Sequence, residues 1–197
     1  MTPPPRELSK DIARDFDRLR ERFSNEDFLN NRGLANEVGF YVYPYDAGRE
    51  LEVRQQTADL VADSQSGRLP YRLVERNLWQ MFLQICESEG ILDKMAALEA
   101  RRGSDALLRR MQKIATPEEF ARAMNYAPHN PGRDILLITG VGQVYPFVRA
   151  HSVLENAQSL FEDIPVVLLY PGRYDGQQLH LFDRISDGNY YRAFNLL

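Results

Sequence analysis

The 197-residue sequence has a single cysteine, Cys86, and so no intrachain disulfide partner. That excludes the disulfide scaffold of small secreted domains and favours a reducing, cytoplasmic setting. Cys86 falls in the apolar pattern Leu78, Met81, Phe82 and Ile85, which reads as a buried small hydrophobe in preference to a reactive thiol. No apolar run approaches the roughly 18 residues a membrane helix needs. The longest such stretches, 134–139 and 164–170, are of strand length. Met1-Thr-Pro-Pro-Pro-Arg6 lacks the apolar core and cleavage site of a signal peptide and reads as an extended, flexible tail. Positive charge is not in surplus either. With 24 Lys and Arg against 28 Asp and Glu, the net charge is −4. This argues against autonomous DNA binding through bulk electrostatics and leaves local patches open. The three histidines, His129, His151 and His180, are scattered, with no His-x-x-x-His and no carboxylate at ligand spacing. Neither a metal site nor a cofactor is expected. No serine stands in a Gly-x-Ser-x-Gly elbow. The carboxylate pairs Asp15 with Asp17 and Glu118 with Glu119 lie on amphipathic segments and read as solvated faces. The expectation is a chain without catalytic activity.

What the sequence does contain is an alternation of helix and strand patterns. The length fits one domain over residues 1–197. Ile12, Phe16, Leu19 and Phe23 form one apolar stripe on a helix starting near Ser9, and Ser24–Asp27 can cap a further short turn. Val38–Tyr43, rich in aromatic and β-branched residues and followed by Pro44, predicts a buried strand. Glu50–Ala62 predicts a helix with Leu51, Thr57, Ala58 and Val61 inward, broken at Ser64–Gly67. Pro70–Val74 is a weaker strand, and Leu78–Cys86 a strongly apolar helix. Residues 90–125 read as three short helices divided by Gly90, Gly103 and Pro117, with Thr116 as N-cap of the last. After the loop Pro128–Gly132 come a strand at 134–139, the turn Gly140-Val-Gly142, and a helix from about Pro146 to Phe161. A strand at 165–170, a long glycine-bearing loop and a short strand near Tyr190–Phe194 complete the chain. Apolar strands alternating with helices predict an α/β fold: a mostly parallel sheet flanked by helices, Rossmann-like and three-layered, with a helical insertion around 90–125.

Three regions are candidates for function. A buried strand runs into Gly140-Val-Gly142 and then a helix, an arrangement that suits anions, because backbone N–H groups and the helix dipole favour negative charge. The Lys-Ser/Thr of a P-loop is absent, and Tyr145 stands where a dinucleotide fingerprint has its third glycine. Arg149, on the following helix, could reach back towards this turn. His151, two residues on, points elsewhere. The loop with Tyr174 and Asp175 also follows a strand and should lie at the same carboxyl edge, where ligands bind in open α/β sheets; Asp175 before Gly176 also reads as a turn former. The second candidate is the basic run Arg101, Arg102, Arg109, Arg110 and Lys113, with Leu107, Leu108, Met111 and Ile114 between. It is either the solvated side of an amphipathic helix or a patch for nucleic acid or an acidic partner. The third is the aromatic tail Tyr190, Tyr191 and Arg192, which finishes a sheet or presents a partner surface.

Taken together, Leu137–His151, Pro165–Gly176 and the stretch from Leu181-Phe to Asn189-Tyr-Tyr-Arg-Ala-Phe194 resemble, in content, order and spacing, the BrxB family of BREX bacteriophage-exclusion systems. Phe40–Asp46 and Glu89–Leu92 agree more loosely. Ala150 stands where the resemblance leads one to expect serine, and Gln143 where lysine is common, a departure that weakens a phosphate site at the glycine turn. The resemblance implies a cytoplasmic component of a phage-defence system that couples host DNA methylation with a block on phage DNA replication. It implies a small non-catalytic assembly subunit. Its expected partners are other BREX proteins, PglZ first and then the ATPase or the methyltransferase, with DNA contacted only within a complex.

Overall fold

A computed structural model describes residues 8, 11–32, 39–186 and 193–197. Its sheet has the strand order β2-β3-β4-β1-β7. These are β1 (Phe40–Tyr45), β2 (Arg72–Asn77), β3 (Asp134–Thr139), β4 (Val166–Tyr174) and β7 (Phe194–Asn195), and every pairing along the order is parallel. Beyond it, β5 (Leu179–Leu181) pairs antiparallel with the end of β4, and β6 (Ile185–Ser186) antiparallel with β5. The sheet is therefore mixed: mostly parallel, as expected, with an antiparallel hairpin added at the end of β4. The segment expected as a long loop after residue 170 is instead an extension of β4 that turns back as a hairpin.

The handedness of parallel crossovers decides which helix lies where. From β1 the chain moves three places along the sheet to β2, through α3 (Glu50–Gln65). It then steps back one place at a time. The step from β2 to β3 carries α4 (Leu78–Ser88), α5 (Met95–Arg102), α6 (Ser104–Ile114) and α7 (Pro117–Met124). The step from β3 to β4 carries α8 (Val141–Val144) and α9 (Ala150–Ala157). Right-handed connections running in opposite directions must use opposite faces. Accordingly Val53 and Leu60 of α3 join α1 (Ile12–Phe23) and α2 (Glu26–Leu29) over one face, and α4, α6, α7 and α9 cover the other. The strands serve both layers by alternation. Tyr41, Tyr43, Tyr45, Ile135, Leu137, Val167 and Leu169 point to the α1–α3 side, and Phe40, Val42, Leu136, Ile138, Val166 and Leu168 to the other.

Several helix boundaries follow from capping. Asp11 accepts the Arg14 N–H at the start of α1, and Asn25 the Phe28 N–H at the start of α2. Thr116 accepts from Glu119 ahead of α7. Two helices depart from expectation. The buried side of α3 is Val53, Thr57, Leu60 and Ser64, while Leu51 is 78% exposed. The helix expected from Pro146 to Phe161 is shorter than expected. A separate short helix, α8, precedes it and ends at Val144, the Tyr145–Pro146 peptide is cis, and the expected helix itself is shortened to α9, Ala150–Ala157. A residue before proline is driven out of the helical region, and Tyr145 is extended (ψ 135°).

The amino-terminal edge of the sheet is fastened by a buried carboxylate. Asp134, first residue of β3, is 0% exposed. The Arg72 guanidinium donates to both of its oxygens, through Nε at 2.8 Å and through Nη2. The Tyr126 hydroxyl and the Asn130 N–H also donate, each at 3.1 Å. Burial alone would raise the Asp134 carboxyl, but these hydrogen bonds and the Arg72 charge hold it below its ordinary range. Tyr126 and Phe161 flank His129, whose Nδ1 lies 2.7 Å from Asp163.

Candidate functional site

The carboxyl ends of β1 to β4 meet the first half of α3 around a crevice of about 190 Å³. Gly140 lies on its wall together with Thr139, Asn77, Glu75, Tyr45 and Glu50. Each polar group has an internal duty. The Tyr45 hydroxyl donates to Glu50 at 2.6 Å, and Thr139 Oγ1 donates to Glu75 at 2.7 Å. Asn77 Oδ1 accepts the Trp79 and Gln80 N–H groups, both at 3.1 Å, and so caps α4. Burial, and then the Glu50 charge, push the Tyr45 hydroxyl far above the ordinary tyrosine range, so it remains a donor.

Gly140 has a structural reason to be glycine. Its φ is +73°, and a Cβ there would come within 2.5 Å of Asn77 Oδ1. The turn thus gives room to the cap of a neighbouring helix. The helix it opens, α8, has only four residues. The two glutamates add negative charge to the crevice against one arginine, Arg54. By Coulomb repulsion they oppose a phosphate at this turn.

The other carboxyl-edge candidates are dispersed. A Cβ on Gly142 would meet not the crevice but Phe182 and Pro171, at 3.0 and 3.1 Å. Arg149 is the extended N-cap of α9 and not a residue within a helix, and its guanidinium lies 5.8 Å from the Tyr145 ring centre. Tyr174 is buried, and its hydroxyl donates to the Ala193 carbonyl at 2.8 Å, which ties the last strand to β4. Asp175 sits in the β4–β5 turn. One of its oxygens accepts the Gln177 and Gln178 N–H groups at 2.9 and 2.7 Å, and the other lies 3.1 Å from His180. The Gln178 hydrogen bond, supported by His180, lowers its carboxyl. Tyr190, Tyr191 and Arg192 lie outside the described residues.

The basic run occupies two helices. Arg101 and Arg102 end α5, Gly103 turns the chain, and Arg109, Arg110 and Lys113 follow on α6. Met111 is buried and Leu107 and Ile114 pack against the core, so the cations occupy the solvent side. All five are exposed, and among the described residues none of their side chains has a hydrogen bond, an ion pair or a ring contact. Elsewhere arginines are commonly paired: Arg18 with Asp15, Arg32 with Asp27, Arg49 with Glu52, Arg173 with Asp183. Beside Arg110 and Lys113 runs a groove of about 570 Å³ between α4, α6 and α7.

Comparison with known proteins gives this geometry its family. The family model described as BREX protein BrxB matches residues 74–196, from β2 to β7. The BREX protein BrxB of Bacillus cereus (strain H3081.97) is 33% identical over 184 residues, spanning 92% of this chain and 95% of that protein. The chain belongs to the BrxB family. The Escherichia coli O9:H4 (strain HS) BREX protein BrxB is 26% identical over 179 residues, with 91% and 88% coverage. No solved structure matches the chain. The BrxB match takes in the Gly140 turn, the β4–β5 hairpin and the basic helices alike. Among the described residues of this BrxB-family chain no helix is long and apolar enough to cross a membrane.

The sequence reading missed the crevice carboxylates Glu50 and Glu75 and the Asp134 network. Glu75-Arg76-Asn77 does carry a signal, since charged residues at the end of a parallel strand fall at the edge where ligands and caps compete. The strand expected at 70–74 stopped short of them.

Proposed function

We propose that the chain is a non-catalytic assembly subunit of a BREX complex acting in defence against phage in the cytoplasm. It works by binding other BREX proteins, with PglZ the first expected partner and the ATPase or methyltransferase next. One observation carries this reading. The carboxylates and the Asn77 cap at the carboxyl edge are engaged with neighbours, whereas five cations on α5 and α6 face solvent with no partner among the described residues, in a chain of net charge −4. Charges left unsatisfied within a chain are available to another chain. The test is co-purification of the tagged protein from its native operon at moderate salt. Recovery of PglZ or another BREX protein in fixed ratio is expected. A protein that comes down alone, and whose deletion leaves defence and host methylation intact, would end the proposal.

A second reading has the carboxyl-edge crevice in its favour: a small ligand sensed at the Gly140 turn. At about 190 Å³ and with two glutamates on its wall, the crevice suits a compact, uncharged or cationic ligand better than a nucleotide. Calorimetric titration with ATP, GTP and dinucleotides is expected to give no heat.

A further inference from the structure

The groove between α4, α6 and α7 combines apolar lining with positive charge on one bank. Ile85 and Ile114 form the floor. Arg110 and Lys113 line one bank and have no partner among the described residues. On the opposite bank Arg122 holds Glu119 with two contacts of 2.7 Å, which neutralises that carboxylate, and Glu89 is one further carboxylate in the lining, so Arg110 and Lys113 leave the groove positive by one charge. Arg109, next to Arg110 on the exposed side of α6, extends the positive field beyond the groove.

We propose that this groove docks an acidic, amphipathic segment of a partner protein, with carboxylates on Arg110 and Lys113 and apolar side chains on Ile85 and Ile114. This rests on the assembly role proposed above and names its surface. The chemistry of the lining selects the occupant. A phosphate backbone is charged along its whole length and has no use for an apolar floor, and its affinity comes from many cations in line. The unpaired cations in this groove are two, Arg110 and Lys113, within a chain whose overall charge is negative. A peptide segment carries its charges singly and its apolar groups between them, as helix-in-groove recognition requires. Two of the cations in reach suit different geometries: Arg110 a two-pronged carboxylate contact, Lys113 a point contact.

The test uses the full chain co-expressed with the BREX proteins encoded beside it. The Arg110→Glu/Lys113→Glu variant is compared with Arg110→Lys/Lys113→Arg, both at exposed positions. The charge reversal is expected to cut the retained partner by about tenfold or more, and the charge-preserving pair to retain it. A carbodiimide, which joins an amine to a carboxylate without a spacer, is expected to link Lys113 to an Asp or Glu of that partner. Retention of the partner at the wild-type ratio by the reversal variant overturns the groove and leaves the assembly role standing. Absence of any BREX partner from the wild-type pull-down overturns both. Binding of a short DNA duplex by the wild-type chain at low salt, abolished by the reversal, overturns the peptide in favour of nucleic acid.

Discussion

The two helical layers that sandwich the sheet are built from different chemistry. On the α1–α3 side the sheet presents tyrosines, and the helices meet them with carboxylates: the Tyr43 hydroxyl donates to buried Asp15 at 2.9 Å, and Tyr45 to Glu50. Several cations on this side are paired within the chain, with Arg18 beside Asp15, Arg20 between Asp17 and Asp63, and Arg22 over the Phe28 ring. The α4–α9 side is closed by aliphatic and phenylalanine side chains such as Met81, Phe82, Phe120 and Leu154, and Cys86 is buried among them, which pushes its thiol up to about 11. Arg122 of α7 holds Glu119, but the cations on α5 and α6 have no partner among the described residues. One layer therefore pairs more of its charge within the chain, and the other leaves the α5 and α6 cations unpaired among the described residues. Substitutions on the two sides should differ accordingly.

The largest effect is expected at Phe16. It is 1% exposed and meets the Tyr43 ring edge-on at 5.9 Å. Phe16→Ala should cost about 3–5 kcal/mol, read as a lower urea midpoint with unchanged slope. A cost under about 1 kcal/mol would mean that the α1 layer is not part of the cooperative core. Next comes Asp134, which anchors the strands beneath the other layer. Asp134→Ala leaves Arg72, Tyr126 and the Asn130 N–H without their acceptor and should cost roughly 2–4 kcal/mol, less than a fully buried pair because Arg72 is partly exposed. The folded-state carboxyl lies below its ordinary value of 3.8, so its contribution is complete above that value and is lost as pH falls through the folded one. The gap between wild type and variant should be constant near neutrality and close below about pH 4. A gap independent of pH would refute the ion pair. Tyr43→Phe follows, with a loss of about 1–2 kcal/mol from leaving the buried Asp15 short of a donor. Equilibrium unfolding measures it, and no loss would place Asp15 in contact with water.

These differences explain which parts of the fold were legible. The α1 stripe, Ile12, Phe16, Leu19 and Phe23, was readable because every inward position is strongly apolar, and all four are buried. The α3 stripe was not. Its inner positions include Thr57 and Ser64, whose hydroxyls donate to the Val53 and Val61 carbonyls at 2.7 and 2.8 Å. With the polar atoms satisfied inside the helix, the pattern on which the reading relied was erased, and Leu51 was taken as inward. The glycine turn was legible as a turn but not in purpose, since the atom that requires Gly140, Asn77 Oδ1, belongs to a strand end far away in sequence. The basic run was legible in position. That its members lack partners was not, because pairing depends on what the fold brings alongside.

The smallest effect is the most informative about the comparison. Arg109 and Lys113 stand four residues apart on α6, a spacing at which like charges repel by about 0.2–0.5 kcal/mol. Lys113 recovers part of this from the helix C-terminus, where a cation is favoured. Arg109→Gln/Arg110→Gln/Lys113→Gln removes the repulsion, that dipole contribution, and no ion pair. Stability should stay within about 0.5 kcal/mol of wild type, or about 2 °C in Tm for a chain of this size. Differential scanning calorimetry decides it. A loss above about 1 kcal/mol would mean that these cations hold the fold through longer-range attraction to the acidic remainder, and the contrast between the layers would fail. An unchanged Tm means that the three positive charges on α6 contribute nothing to folding, which is what the docking proposal requires of them.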